Sequence, residues 1–121
     1  MTEQMAPSLD FEAMRRAIEE SDYDALVSFY ADDAELRMVN KNSTPSSPMV
    51  LSGKEEISEL LCDVCGRAMT HHVEYEIFNE NRVAFNEACE YPGGLKVLSA
   101  STLDLRDGMI VRQTNIEAWD E

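Results

Sequence analysis

The feature that most limits what this chain can become is a change of hydrophobic period near residue 70. Before it, apolar residues recur every three or four positions, the spacing of one helix face. After it they recur every second position, the spacing of one sheet face. Phe11, Met14 and Ile18 make the first helical stripe, beside Glu12, Arg15, Arg16 and Glu19. Pro7 and Ser8 precede it, with Ser8 in the place of a cap. Ser21 or Asp22 starts a second, shorter helix in which Leu26, Phe29 and Tyr30 share a face, and residues 34–39 then alternate as a strand. Residues 40–48 are a loop by composition, rich in Asn, Ser and Pro. Ser52 and Glu55 have the spacing of a capping box, and Ile57, Leu60, Leu61, Val64 and Ala68 extend it into a third helix.

Beyond the switch, Val73, Tyr75 and Ile77 alternate with His72, Glu74 and Glu76. A second strand carries Val83, Phe85, Glu87 and Cys89 on one face, and a third runs over 95–105. Arg106-Asp107-Gly108 reads as a hairpin leading to a last strand over 109–119. Helices followed by clustered strands mean an α+β chain, with three N-terminal helices packed on one face of a curved, mixed or antiparallel sheet. One domain is expected over 9–121, behind a loose lead at 1–8.

Charge narrows the partners. Ten basic against 24 acidic residues give a net charge of −14. Such a surface repels the phosphates of nucleic acid and of anionic membranes, so neither is an expected partner. No apolar run reaches the length of about 18 residues that spans a bilayer, and Glu3 stands where a signal peptide carries basic residues. Cys62, Cys65 and Cys89 are odd in number, which suits reduced thiols and a cytoplasmic location rather than a disulfide framework.

The two longest strands separate two environments. Val111, Gln113, Asn115, Glu117 and Trp119 share one face of the last strand; Ile110, Arg112, Thr114, Ile116 and Ala118 share the other. Val97, Ser99, Ser101 and Leu103 repeat the pattern of polar centre and apolar ends. Two neighbouring strands of this kind imply a cavity with a few directed polar groups, although a partly solvated sheet gives the same alternation.

The order of the local motifs carries a resemblance. Asp22-Tyr23-Asp24-Ala25-Leu26-Val27, Tyr30-Ala31-Asp32-Asp33-Ala34, Ser52-Gly53-Lys54-Glu55-Glu56-Ile57 and Asp107-Gly108-Met109-Ile110 together resemble the nuclear transport factor 2-like superfamily, in its SnoaL-like (polyketide cyclase) and ketosteroid isomerase-related branch. The resemblance runs from Leu9 onwards. It implies a cone, the cystatin-like roll, in which helices and a strongly curved sheet enclose a deep apolar pocket, and a homodimer formed through the outer sheet face. Fold alone does not deliver the activity, because this scaffold serves isomerases, dehydratases, cyclases and binders. The isomerases use a Tyr and a protonated Asp as an oxyanion hole and a second Asp as base. The resemblance puts Met14, Ser101 and Met38 at those positions and Leu61 at that of a supporting Tyr, while Tyr30 keeps the second supporting Tyr. Methionine neither takes nor gives a proton, so steroid isomerisation by that route is not expected.

Candidate catalytic residues are Glu117, His72 and His71. Adjacent strand residues face opposite ways, so one histidine of the pair is expected in the cavity, as acid or base beside Glu117, Asp33 or Glu35. The expected pocket residues are Met14, Ile18, Tyr30, Met38, Val97, Ser99, Ser101, Gln113, Asn115 and Trp119. Cys62-Asp63-Val64-Cys65 is a bare CxxC in mid-helix, with no geometry that would gather ligands; neither a metal nor a cofactor is expected. Two functions stay open. One is an isomerase, cyclase or dehydratase acting on a small hydrophobic carbonyl compound. The other is a non-catalytic dimeric ligand-binding or interaction module.

Overall fold

Asp10, not Ser8, starts the first helix, because its carboxylate accepts from the Ala13 N–H at 3.1 Å. The computed structural model describes residues 8–120, so the lead expected over 1–8 lies, apart from Ser8, outside the described residues. Helix α1 (Phe11–Glu19) buries Phe11, Met14 and Ala17. Asp22 caps α2 (Tyr23–Ser28) through the Ala25 N–H, which settles the choice between Ser21 and Asp22.

Strand β1 (Tyr30–Val39) begins four residues before the alternation does. Its pairing is interrupted between Tyr30 and Glu35, and Asp32 and Asp33 occupy the irregular stretch. A short β2 (Met49–Ser52) pairs antiparallel with β1, an element the sequence hides because it runs straight into a helix. That helix, α3 (Lys54–Cys65), has no capping box: Ser52 is still strand, and Gly53 is the cap residue with φ of +93°. Glycine is required there because an L side chain is strained at such a φ. The reach-back bond does exist one position later, from the Ser52 N–H to Glu56 Oε1 at 2.9 Å. The helix stops at Cys65, short of Ala68.

Four strands follow: β3 (Thr70–Phe78), β4 (Arg82–Glu90), β5 (Lys96–Arg106) and β6 (Met109–Trp119). The sheet order is β2-β1-β6-β5-β4-β3, antiparallel except for the parallel β1–β6 pair. Asp107 and Gly108, at φ of +53° and +77°, turn β5 into β6, both positive as a type I′ hairpin demands. Three helices thus pack on one six-stranded mixed sheet, curved into a cone.

Two bulges bend the sheet and correct the expected faces. In β3, Tyr75 and Glu76 together stand opposite Phe85, and Tyr75 takes a φ of +57°. The phase flips there, so Tyr75 and Ile77 are exposed rather than inward. Glu76 turns in to pair with Arg15, and Phe78 stacks on Phe11 at 5.1 Å. In β6, Val111 has no register partner on either neighbour, so Ile110 faces the core, 1% exposed, while Gln113, two residues beyond Val111, also faces inward. The outer face of β6 is therefore Arg112, Thr114, Ile116 and Ala118, without Ile110.

Leu36, Ile57, Val73, Val83, Leu103 and Ile110 are almost fully buried and make the centre of the core. Leu60, Leu61 and Val64 on α3 are only partly buried, because they look onto a cavity. Helix α1 is tied to β3 by Arg15–Glu76 and by Glu19, whose carboxylate accepts from the Val73 N–H at 2.9 Å. Two substitutions should separate packing from strain. Ile57→Ala should cost about 2–5 kcal/mol of unfolding free energy. Tyr75→Gly should add roughly 0.5–1 kcal/mol, because the side chain is exposed and its backbone is left-handed. Urea denaturation measures both, and a loss for Tyr75→Gly as large as that for Ile57→Ala would refute the strain argument.

Candidate functional site

Register places the polar groups before any side chain is considered. Across β4, β5 and β6, Glu87, Ser99 and Glu117 form one row, and Phe85, Ser101 and Asn115 the next. Cys89, Val97 and Trp119 form the row on one side, and Val83, Leu103 and Gln113 that on the other. Apart from Val83 and Ser101, these rows floor a cavity of about 320 Å³, a volume suited to a small organic molecule. Met14 and Ile18 of α1, Tyr30 and Met38 of β1, and Leu60 and Leu61 of α3 close over it.

Three polar clusters face this space. In the first, Tyr30 donates its hydroxyl proton to Gln113 Oε1, and Gln113 Nε2 donates to Asn115 Oδ1 at 2.9 Å. Ser101 donates to the same Oδ1 at 2.8 Å, which fixes the amide with its NH2 end turned away from both donors. In the second, Glu117 Oε1 accepts from Asn40 Nδ2 at 3.0 Å and from the Trp119 indole at 3.4 Å. Asn40 also opens the 40–48 loop, its Oδ1 accepting from the N–H groups of Asn42 and Ser43 at 2.9 Å each.

The third cluster joins β3 to β4. His71 and Cys89 are register partners, and Glu87 lies two residues from Cys89 on the same face. His71 Nδ1 is 2.7 Å from Glu87 Oε2 and 3.3 Å from Cys89 Sγ, and the Cys89 thiol donates to that Oε2 at 3.2 Å. The His71 side chain is 4% exposed. Burial, then the Glu87 carboxylate, pushes the Cys89 thiol far above its ordinary range. Burial also pushes Tyr30 up, helped by the Glu87 charge and opposed by its bond to Gln113.

Nine of the ten expected pocket residues border the cavity, together with Glu117 and His71. Ser101 is the exception: it is buried behind the cavity surface, supporting Asn115. His72 is a correction. It points outward, its side chain 68% exposed, with Glu19 at 3.4 Å and Glu74 at 4.0 Å. Asp33 is also outside, bonded to Arg106 at 2.9 Å, and Glu35 is 3.7 Å from Arg37. Glu87, Cys89 and Asn40 were missed. A charged residue within the inward alternation of Val83, Phe85 and Cys89 was the available signal for Glu87. Asn40 had none, since its contact with Glu117 spans 77 positions.

The SnoaL-like domain family matches residues 11–113, and the chain belongs to that family. A nuclear transport factor 2-like protein of unknown function from Burkholderia xenovorans LB400 superposes with a TM-score of 0.73 at 21% identity, covering 92% of this chain and 80% of that one. A protein with a cystatin-like fold from Silicibacter pomeroyi DSS-3 gives 0.70 at 14% identity, covering 89% and 72%. SalBIII, an epoxide hydrolase/cyclase-like enzyme of pyran ring formation in polyether salinomycin, gives 0.71 at 17%, covering 89% and 87%. At these identities the likeness is one of fold. Comparison with curated proteins gave no match.

Tyr30 supplies a pH prediction. Its ordinary value is 10.0, and the folded chain holds its proton beyond that pH. Above about pH 10 the folded state therefore binds more protons than the unfolded state. The stabilisation is complete below the unfolded value and declines as pH rises towards the folded one. Tyr30→Phe should show a shallower loss of stability between pH 10 and 11.5 than the parent chain. Parallel curves from thermal melts across that range would contradict the burial of its hydroxyl.

Proposed function

We propose that this chain is an acid–base enzyme, an isomerase, cyclase or dehydratase, acting on a small, mostly apolar carbonyl compound. The observation that carries the reading is the His71–Glu87 contact at 2.7 Å in the cavity wall. A carboxylate at Nδ1 selects the tautomer with its proton there, leaves Nε2 as the base, and stabilises the imidazolium formed when Nε2 takes a proton. His71 is the proton-transfer residue and Glu87 its positioning partner. The Gln113–Asn115 amides orient the substrate oxygen, and Glu117 is the second carboxylate, across Ser99 from Glu87. Neutral amides stabilise an enolate less than a protonated acid does, so the reading favours compounds whose C–H is already acidified by two carbonyl groups.

The domain, taken as residues 9–121, acts as a homodimer in the cytoplasm. Three free thiols support the compartment. The outer face of β5 and β6 supports the dimer: Leu98 pairs with Ala118 and Ala100 with Ile116, and Leu98 and Ile116 are 48% and 55% exposed. Among the described residues no helix is long and apolar enough to cross a membrane.

Two measurements test these readings. With an aromatic β-diketone in deuterated buffer, the chain should accelerate exchange of the α-proton. His71→Gln should remove roughly 10²–10⁴-fold of that rate, the usual worth of a positioned base. Glu87→Gln should lose less and alter the pH profile. Exchange at the buffer rate despite saturable binding of the diketone would select the non-catalytic binding module. For the dimer, light scattering at micromolar concentration should give twice the chain mass, and Ile116→Asp should give the single mass. A monomer for the parent chain refutes it.

A further inference from the structure

We propose that His71, Glu87 and Cys89 form a binding site for one divalent cation of the zinc type. Their donor atoms, Nδ1, Oε2 and Sγ, make a closed triangle with sides of 2.7, 3.3 and 3.2 Å. A tetrahedral zinc with ordinary bond lengths separates N, O and S ligands by about 3.3–3.6 Å. Spreading the triangle by roughly half an ångström therefore admits the ion. The rigid element is already in place, because His71 and Cys89 are paired across the sheet and Glu87 shares their face.

Charge supports occupancy. Without an ion the three groups carry one carboxylate charge, in a cavity wall that is largely apolar. Binding releases the Cys89 thiol proton to buffer, and the resulting thiolate with Glu87 balances the two positive charges of the ion. A nitrogen, sulfur and oxygen donor set suits Zn2+ or Co2+, whereas Mg2+ and Ca2+ select oxygen alone. Three protein ligands leave the fourth tetrahedral position for water or a ligand. The ion uses the Nδ1 and Glu87 oxygen that otherwise set the histidine tautomer, so the loaded chain cannot run proton transfer through that pair. This last consequence rests on the acid–base reading; binding itself does not.

Cobalt titration of the reduced, chelator-treated chain at pH 7.5, with no substrate present, tests the site. One equivalent should produce intense visible bands of a tetrahedral ion and a near-ultraviolet thiolate-to-cobalt band. Cys89→Ser should abolish the thiolate band, and His71→Gln should weaken binding at least tenfold. The double variant Cys62→Ser, Cys65→Ser should retain both features. No spectral change in the parent chain at millimolar cobalt overturns the proposal. So does loss of the thiolate band only in the double variant, which would put the ion on the α3 cysteines. Because binding is read without turnover, its failure leaves the acid–base reading standing, and failed turnover leaves the titration intact.

Discussion

A helix layer cannot close down on a sheet whose central strand offers serine where a core needs bulk. Ser99 and Ser101 sit in the middle of β5, 7% and 4% exposed, between the larger Val97 and Leu103. Removing side-chain volume from the middle of the sheet creates space that the helices above do not fill, and the hydroxyls favour polar neighbours around it. Ser99 borders the cavity, and Ser101 ends the chain of hydrogen bonds that runs from Tyr30 through Gln113 and Asn115.

The same strand carries both core and polar positions of the cavity. Around Leu103, apolar residues from β1, α3, β4 and β6 meet in the core, and Leu36, Leu103 and Ile110 among them also border the cavity. Around Ser99 lie Glu87 and Glu117, each held by its own donors. Strand register fixes where the two carboxylates start from, on either side of Ser99. Asn40 and Lys41 carry the 40–48 segment to the polar end, Asn40 through its bond to Glu117 and Lys41 over the Trp119 ring at 4.8 Å.

Period and turn chemistry made most of this architecture legible. The stripes of α1 and α3, the Asp107-Gly108 turn and the alternation of β4 and β5 correspond to elements of the structure. Local rules failed where neighbours override them. The Ser52–Glu55 box gave way because Ser52 is held in β2 against β1. A one-residue bulge turned Tyr75 and Ile77 of β3 outward, whereas in β6 the bulge at Val111 moved only Ile110 inward and left Gln113, Asn115, Glu117 and Trp119 on the expected face. Of the site, the residues of β5 and the outer half of β6 could be read from alternation alone. Glu87 was visible only as an acidic interruption, and its partnership with His71 depends on a register between two strands that no spacing rule supplies.

The parallel pairing of β1 with β6 has a consequence for how such a chain acquires its shape. Tyr30 and Gln113 meet across 83 positions, with every other strand of the sheet and all of α3 between them. Loop closure over that distance is entropically costly, so β1 waits for the last strand before it gains its second neighbour. Gln113, Asn115, Glu117 and Trp119 arrive on that same strand. The floor of the cavity is therefore complete only once β6 lies between β1 and β5, which joins the β1–β2 pair to the β3–β4–β5 strands in one sheet.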